Sequence, residues 1–339
     1  MPENLLNCAV VGLGLGRHFV DALNRNETVG NITICDASQD RLDEIATTSG
    51  KISATHLDLD AMLGSETPDL ICLVTPDHLH RPHAEACLSS GAHVLQTKPL
   101  ATNLDDARAI VRAALKSDRK FMVAHERRFR PSVQRIQSII DAGDIGDLIH
   151  LRIDAISDKR GQFERAPWYA STESGRSAIN GTGIHEVDLV RTLVQRPIIS
   201  VSAFANRLGE LDFPKDKTTA ALFRFADDIV GQVTVTYEGR APARKAIDDH
   251  LRILGTKGSI FGNKVYREGA EDWETIPVEP GEIVEGIKGC VDSMLQSIAT
   301  DRPVAVSGED AFDSLAAACA ADTAAANGQV QTPEPLEPA

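Results

Sequence analysis

Lys98 follows a short apolar stretch, His93-Val94-Leu95-Gln96, and stands directly before Pro99. Chemistry that moves a proton on or off a hydroxyl needs a base within hydrogen-bond reach, and a lysine can be that base. A lysine just past a buried strand lies where open α/β sheets bind their ligands. Partly desolvated, its pKa would fall toward a useful range. The bland alternative is a solvated lysine ahead of a proline turn. Upstream, Gly12-Leu13-Gly14-Leu15-Gly16-Arg17 follows a strand and opens a helix. Glycines there let a pyrophosphate approach the backbone at a helix N-terminus. The third glycine of a G-x-G-x-x-G turn would fall at Arg17 and sits one place early, so the run alone is only a tight turn. Asp36, ending the second strand, changes that reading. A carboxylate near this spacing binds the two ribose hydroxyls and repels a 2′-phosphate, which favours NAD over NADP.

Other residues invite chemistry less sharply. His185 can share a proton with a substrate hydroxyl and orient it, although a histidine near a helix start is more often a cap or core residue. Asp188, one helical turn on, reads as structural. Trp168 and Tyr169 lie in a loop and either stack on sugar C–H faces or anchor that loop. Arg160, Arg165 and Arg176 around them read as surface arginines. His78, His80 and His83 do not have a metal-ligand spacing on one helix face, and no metal is expected.

These residues need a scaffold that ends its strands at one edge. Apolar runs at Cys8–Val11, Ile32–Cys35, Asp69–Val74, His93–Gln96 and Lys120–Ala124 alternate with helical patterns at Arg17–Asn24, around Leu42–Ala46, His80–Ser90 and Asn103–Leu115. Ser38 can cap the second helix, and Gly91 closes the third. Repeated β-α-β with short loops implies a doubly wound parallel sheet. Beyond His125 the period changes. A helix over Ser132–Ala142 precedes alternating segments at 149–153, 200–205, 219–225, 231–236 and 251–254, which suit an antiparallel sheet. Its apolar face, with Ala221, Phe223 and Phe225, needs cover from a helix or a partner. An alanine-rich helix over Glu309–Ala326 comes last, followed by a loose tail. The expected division is 1–125, 126–330 and a tail at 331–339.

Three segments then carry a resemblance. Thr75-Pro76-Asp77-His78-Leu79-His80 resembles a T-P-N-x-x-H turn, Lys98-Pro99-Leu100-Ala101 an E-K-P-L-A signature, and Gly183-Ile184-His185-Glu186-Val187-Asp188-Leu189 a G-x-H-x-x-D-L helix start. With weaker matches in the same order, such as Arg127-Arg128-Phe129 and Gly255-Thr256-Lys257-Gly258, the chain resembles the glucose–fructose oxidoreductase/inositol dehydrogenase (Gfo/Idh/MocA) family. The resemblance implies an α/β protein: a Rossmann domain, then an α/β domain with a large, open, mostly antiparallel sheet. It implies NAD-dependent oxidation of a sugar or polyol, with Lys98 and His185 catalytic. It places the cofactor against Gly12, Leu13, Gly14, Leu15, Gly16, Asp36, Thr75, Pro76, Asp77, His80, Thr97 and Lys98. Arg128, Trp168, Tyr169, Asn180, Thr182 and His185 would line the substrate. A cis peptide at Lys98-Pro99 and a homodimer or homotetramer are also implied.

The chain departs from the family at four places. Gly181 stands where many members have an Asp four residues before the histidine, Thr97 replaces the acid before Lys-Pro, Asp77 replaces Asn, and Glu126 replaces the Asn before Arg-Arg-Phe. Either Lys98 and His185 suffice, or another residue substitutes, or redox activity is weak. A non-catalytic NAD-binding sensor and a lyase that oxidises its substrate transiently are therefore alternatives. Composition bounds the rest. The 339 residues are 42% hydrophobic and 25% charged, with a formal net charge of −14. That is globular, long enough for two domains, and ill suited to a phosphate backbone, so nucleic acid is not an expected partner. No apolar run suits a membrane span. The acidic start, Met1-Pro2-Glu3-Asn4, does not resemble a secretory leader. Six scattered cysteines, none in a CxxC pair, suggest reduced thiols and a cytoplasmic setting.

Overall fold

The computed structural model describes residues 5–240, 251–278 and 280–337. The first domain alternates strands and helices: β1 (Leu6–Val11), α1 (Leu13–Arg25), β2 (Val29–Cys35), α2 (Gln39–Ala46), β3 (Ile52–His56), α3 (Leu59–Ser65), β4 (Leu70–Leu73), α4 (His80–Ser89), β5 (His93–Thr97), α5 (Leu104–Ser117) and β6 (Phe121–Ala124). Its six strands are all parallel in the order β3-β2-β1-β4-β5-β6. The order reverses between β1 and β4, and ligands of open α/β sheets bind at such a switch point. Leu70, Ile71, Cys72 and Leu73 are all buried, because helices cover both faces. Two details differ from expectation. α1 starts at Leu13 rather than Arg17, so Gly14 and Gly16 lie inside its first turns. The pair β3 and α3 was not foreseen, since Ile52-Ser53-Ala54-Thr55-His56 is an edge strand with no apolar run.

The second domain contains α6 (Pro131–Asp141), β7 (Leu148–Ile156), α7 (Arg160–Arg165), α8 (Ile184–Val194), β8 (Ile198–Asn206), β9 (Thr218–Phe225), β10 (Val230–Thr236), β11 (Arg252–Gly255), β12 (Gly258–Phe261), β13 (Lys264–Arg267) and β14 (Glu274–Thr275). Their sheet runs β14-β13-β12-β11-β7-β10-β9-β8, and only the β7–β10 pair is parallel. Period-two burial gives it two unlike faces. Ala221, Phe223, Phe225, Val233 and Val235 are buried on the helix-covered side. The bare side is the other one, where Phe204, Ile199, Leu222 and Val230 are exposed.

The chain then returns to the first domain through α9 (Glu282–Thr300) and α10 (Gly308–Asn327). α9 has an apolar stripe that includes Ile287, Cys290, Val291 and Met294. Gly286 and Gly289 let it approach the Glu126–Phe129 turn, where a Cβ would meet Glu126 backbone or Phe129. Val306, ahead of α10, accepts a backbone hydrogen bond from Val123 at 3.0 Å. The tail is not loose where it is described. Gln331 exchanges two 2.8 Å backbone bonds with Val201, Glu334 pairs with Arg108 at 2.6 Å, and Leu336 packs on the core. Residues 338 and 339 lie outside the described residues. Among the described residues, no helix is long and apolar enough to cross a membrane.

Candidate active site

Gly12 ends β1 with φ +89°, where a Cβ would collide with the Val74 carbonyl. Only glycine meets both demands. Gly14 faces open space, Leu15 is exposed beside it, and Leu13 is buried in the core. No side chain caps α1, and no acidic residue occupies its first turn. Those features fit an anionic pyrophosphate arriving at a positive helix end. Asp36 is buried at the tip of β2. Its carboxylate accepts from Leu13 N–H at 2.7 Å and Ser38 N–H at 2.8 Å, and Arg41 approaches at 3.4 Å. The Rossmann turn and its ribose-side carboxylate are thus tied together, and they fit a dinucleotide.

Thr75 and Pro76 follow β4, and the Lys98-Pro99 peptide after β5 is cis. His80 ties these loops together. Its ring nitrogens lie 2.8 Å from the Pro99 carbonyl and 3.0 Å from the Thr75 carbonyl. It is fully buried, so its ring supports the two loops on which the resemblance places the cofactor. Thr75 Oγ1 is 3.2 Å from His83 Nδ1, and Thr97 is buried with its hydroxyl donating to the Leu73 carbonyl at 3.4 Å. Lys98 emerges half-buried and donates to the Gly181 carbonyl at 3.5 Å. Burial first, then the Arg176 charge, lowers its pKa to about 8.

His185 sits in the first turn of α8, straight after a π-turn over Ala178–Thr182. Its Nδ1 is 3.4 Å from Glu126 Oε2. Burial and the Lys98 and Arg127 charges hold its pKa well below the usual histidine value, so the ring is neutral. Glu126 also pairs with Arg130 at 3.2 Å, and Arg127 pairs with Glu186. Arg128 was expected to touch substrate, and the structure places it elsewhere. Its guanidinium binds Asp188 at 2.5 and 2.8 Å and Asp310 at 2.5 Å. Asn180 is corrected likewise. It closes a capping box with Ser177 and donates to the Thr102 carbonyl at 3.3 Å, so its amide is consumed in holding the π-turn.

Arg176 is the largest departure from the sequence reading. Rather than a surface arginine, it is buried, pairs with Asp77, and lies 4.7 Å from the Tyr169 ring centroid and 5.6 Å from that of Trp168. Those two rings stack at 3.9 Å, and Trp168 reaches His78 in the cofactor turn at 6.3 Å. A Cβ on Gly181 would stand 2.6 Å from Arg176 Nε. The guanidinium therefore occupies the space that a carboxylate at position 181 would need. Arg160 is paired with Asp158 and Glu238, and Arg165 is exposed. Tyr237, which the sequence did not single out, is buried beside Arg176 and the π-turn. Its hydroxyl donates to the Ser177 carbonyl at 3.2 Å and lies against Thr182 and Arg176. Lys159 is a second unforeseen member, with its ammonium 6.0 Å from the Tyr237 ring centroid. A lysine in a loop carries no sequence signal of its own.

Fold and site together define a nucleotide-binding α/β oxidoreductase. Residues 6–125 match the model of an oxidoreductase family with an NAD-binding Rossmann fold, and residues 133–261 match the GFO/IDH/MocA C-terminal domain. The chain belongs to the Gfo/Idh/MocA oxidoreductase family. It is similar to inositol 2-dehydrogenase 1 of Saccharopolyspora erythraea, 28% identical over 74% of this chain and 72% of that protein. It is 27% identical over 191 residues to the 1-carboxy-3-chloro-3,4-dihydroxycyclo hexa-1,5-diene dehydrogenase of Comamonas testosteroni, a match covering 56% of this chain and 47% of that protein. In fold it is similar to a crystal structure of an oxidoreductase from Agrobacterium radiobacter in complex with NAD+, L-tartaric acid and magnesium. That match has a TM-score of 0.86 and 22% identity, and it covers 96% of this chain and 98% of that one.

Removing one side of a buried ion pair leaves an uncompensated charge. Arg128→Ala strips both Asp188 and Asp310 of their shared partner. Its stability in urea is expected to fall by about 3–5 kcal/mol, whereas Arg165→Ala, at an exposed position, stays within about 0.5 kcal/mol. Equal denaturation midpoints for the two variants would contradict the structural role of Arg128.

Proposed function

We propose that the protein is an NAD-dependent dehydrogenase acting on a secondary alcohol of a sugar or polyol. The observation that carries this reading is Lys98, a desolvated lysine at the switch-point edge with its pKa lowered to about 8 and no carboxylate within ion-pairing distance among the described residues. When bound, NAD supplies the hydride acceptor. Neutral Lys98 takes the hydroxyl proton. His185, its Nδ1 turned to Glu126, offers Nε2 to a neighbouring hydroxyl and so orients the substrate. Trp168 and Tyr169 shield the pocket from water. The hydroxyl-bearing compounds in the names of the curated relatives support the substrate class. Gly181 is what favours a non-catalytic sensor, and that reading expects no turnover to lose. A transient-oxidation lyase would turn over without accumulating NADH. We place the protein in the cytoplasm, where its six free thiols suit a reducing environment. Its small-molecule substrate is joined by a second copy of the chain on the open sheet face.

Three outcomes follow. Lys98→Met is expected to lower turnover by about 10²–10⁴-fold while NAD affinity stays within a few-fold. In the intact enzyme kcat/KM rises with pH and levels above about 8, because the base must first lose its proton. Arg176→Met removes a cation and frees Asp77. Both changes favour protonated Lys98, so the rising limb moves to higher pH. Equal rates for the wild type and Lys98→Met would remove Lys98 as the base.

Calorimetric titration is expected to show tighter binding of NADH than of NADPH, since Asp36 would face the 2′-phosphate. The reverse order would point to Arg41, 3.4 Å from that carboxylate, as the phosphate ligand. In light scattering the intact protein is expected to run as a dimer or tetramer. Phe204→Asp with Leu222→Asp should shift it toward monomer, because both side chains lie on the bare sheet face. A monomeric wild type at micromolar concentration would refute the assembly.

A further inference from the structure

Around the pocket, arginines and carboxylates consume one another. Arg176 takes Asp77, Arg127 takes Glu186, and Arg130 takes Glu126. Two lysines remain without a carboxylate among the described residues. One is Lys98, which a dehydrogenase needs as a base. The other is Lys159, in the turn between β7 and α7. Its backbone N–H donates to the Tyr237 carbonyl at 3.2 Å, which fixes the residue beneath the aromatic cluster. Its ammonium donates to Gln162 Oε1 at 2.8 Å, a neutral acceptor, and stands 6.0 Å from the Tyr237 ring centroid.

A half-buried ammonium held only by an amide and an aromatic face is poorly compensated. Burial first, then the Lys98 and Arg176 charges, against the opposing pull of Glu186, bring its pKa to about 8. An anion arriving from outside relieves this excess. It would replace lost hydration with a charge-assisted hydrogen bond. The position suits substrate rather than cofactor. Lys159 lies over the ring of Tyr237, whose hydroxyl meets Ser177, Thr182 and Arg176, in the segment that runs through the π-turn into the helix of His185. The pyrophosphate turn belongs to the first domain. Lys159 also has no ion-paired carboxylate among the described residues, unlike Arg160 next to it, which holds Asp158 and Glu238.

We propose that Lys159 binds a carboxylate of the substrate, so that the enzyme acts on an acidic sugar or polyol, such as a uronate or aldonate, in preference to its neutral counterpart. This rests on the dehydrogenase reading above for the reaction itself. The carboxylate is not a reactant. It fixes the sugar so that one secondary hydroxyl faces Lys98, and it lowers the positive potential that Lys98 and Lys159 impose on each other.

The test compares matched pairs: D-glucuronate with D-glucose, D-galacturonate with D-galactose, and D-gluconate with D-glucitol. With the wild type, at least one acid is expected to exceed its neutral partner in kcat/KM by about tenfold or more. Lys159→Met keeps most of the stem and loses the charge. It should lower that acid-to-neutral ratio by about 10–100-fold, mainly through KM, as loss of a charged hydrogen bond does. Lys159→Arg should retain most of the ratio. A preference for the neutral partners, or a ratio unchanged in Lys159→Met, overturns the proposal and leaves the dehydrogenase standing. If no pair is turned over, the dehydrogenase reading fails instead. The anion site is then decided by calorimetry of the same acids on the NADH-loaded protein. Binding by the wild type that is weakened in Lys159→Met supports it, and no binding, or equal binding, overturns it.

Discussion

Arg128 is the pin of the molecule. One guanidinium, held by Asp188 of α8 and Asp310 of α10, joins the segment leaving the first domain to a helix of the second and to one that returns onto the first. Asp188 also receives Ser314 at 2.9 Å and lies 3.4 Å from His125. Its carboxyl is held far below the usual range by these cations. Burying such a group is expensive unless every lone pair is used, and here nearly all are. The consequence reaches the chemistry. With Arg128 fixed, Arg127 reaches Glu186 and Glu126 reaches His185, so the histidine is set over the lysine edge by its neighbours' pairing.

The charge pattern of the pocket explains the departures from the family as one connected change. A carboxylate touching Lys98 would hold its proton more tightly. Thr97 and Gly181 are the two places where the resemblance leads one to expect an acid, and neither supplies one. The acid stands instead at Asp77, neutralised by Arg176, whose guanidinium fills the room beside Gly181. Lys98 is left without an ion-paired carboxylate, and burial together with the nearby Arg176 cation leaves its neutral form accessible. The π-turn that carries Gly181 is secured outside the pocket, by Ser177 bonded at 2.7 Å to Asp322 of α10.

The first domain was readable because its strands are buried on both faces and so print as apolar runs. Ile52-Ser53-Ala54-Thr55-His56 escaped because an edge strand needs no such run. α9 escaped too: its stripe spans glycines and serines that serve close packing and hide the period. The glycine turn and Asp36 stand out because strand, turn, helix and acid follow in order, and Lys98 and His185 because the segments around them resemble family signatures. The buried partners of Arg128, Asn180, His80 and Arg176 were not legible, for one shared reason. Whether a polar side chain faces a ligand or a buried partner depends on what stands opposite it in space. Asp188, Asp310, Thr102, Pro99 and Asp77 are mostly remote in sequence from the residues they satisfy.

The return of α9 and α10 onto the first domain bears on how the chain is made. Asn26 bonds to Asp292 at 3.0 Å, Lys120 to Asp301 at 2.9 Å, and Val123 to Val306 at 3.0 Å, while the Arg108 guanidinium lies over the Phe312 ring. Each partner is more than 150 residues downstream. At about 5–20 residues per second during synthesis, the Rossmann sheet leaves the ribosome tens of seconds before its cover arrives. During that interval the faces destined for α9 and α10 are wet and apolar. The surfaces of the first domain that α9 and α10 cover therefore stay exposed until those two helices are made.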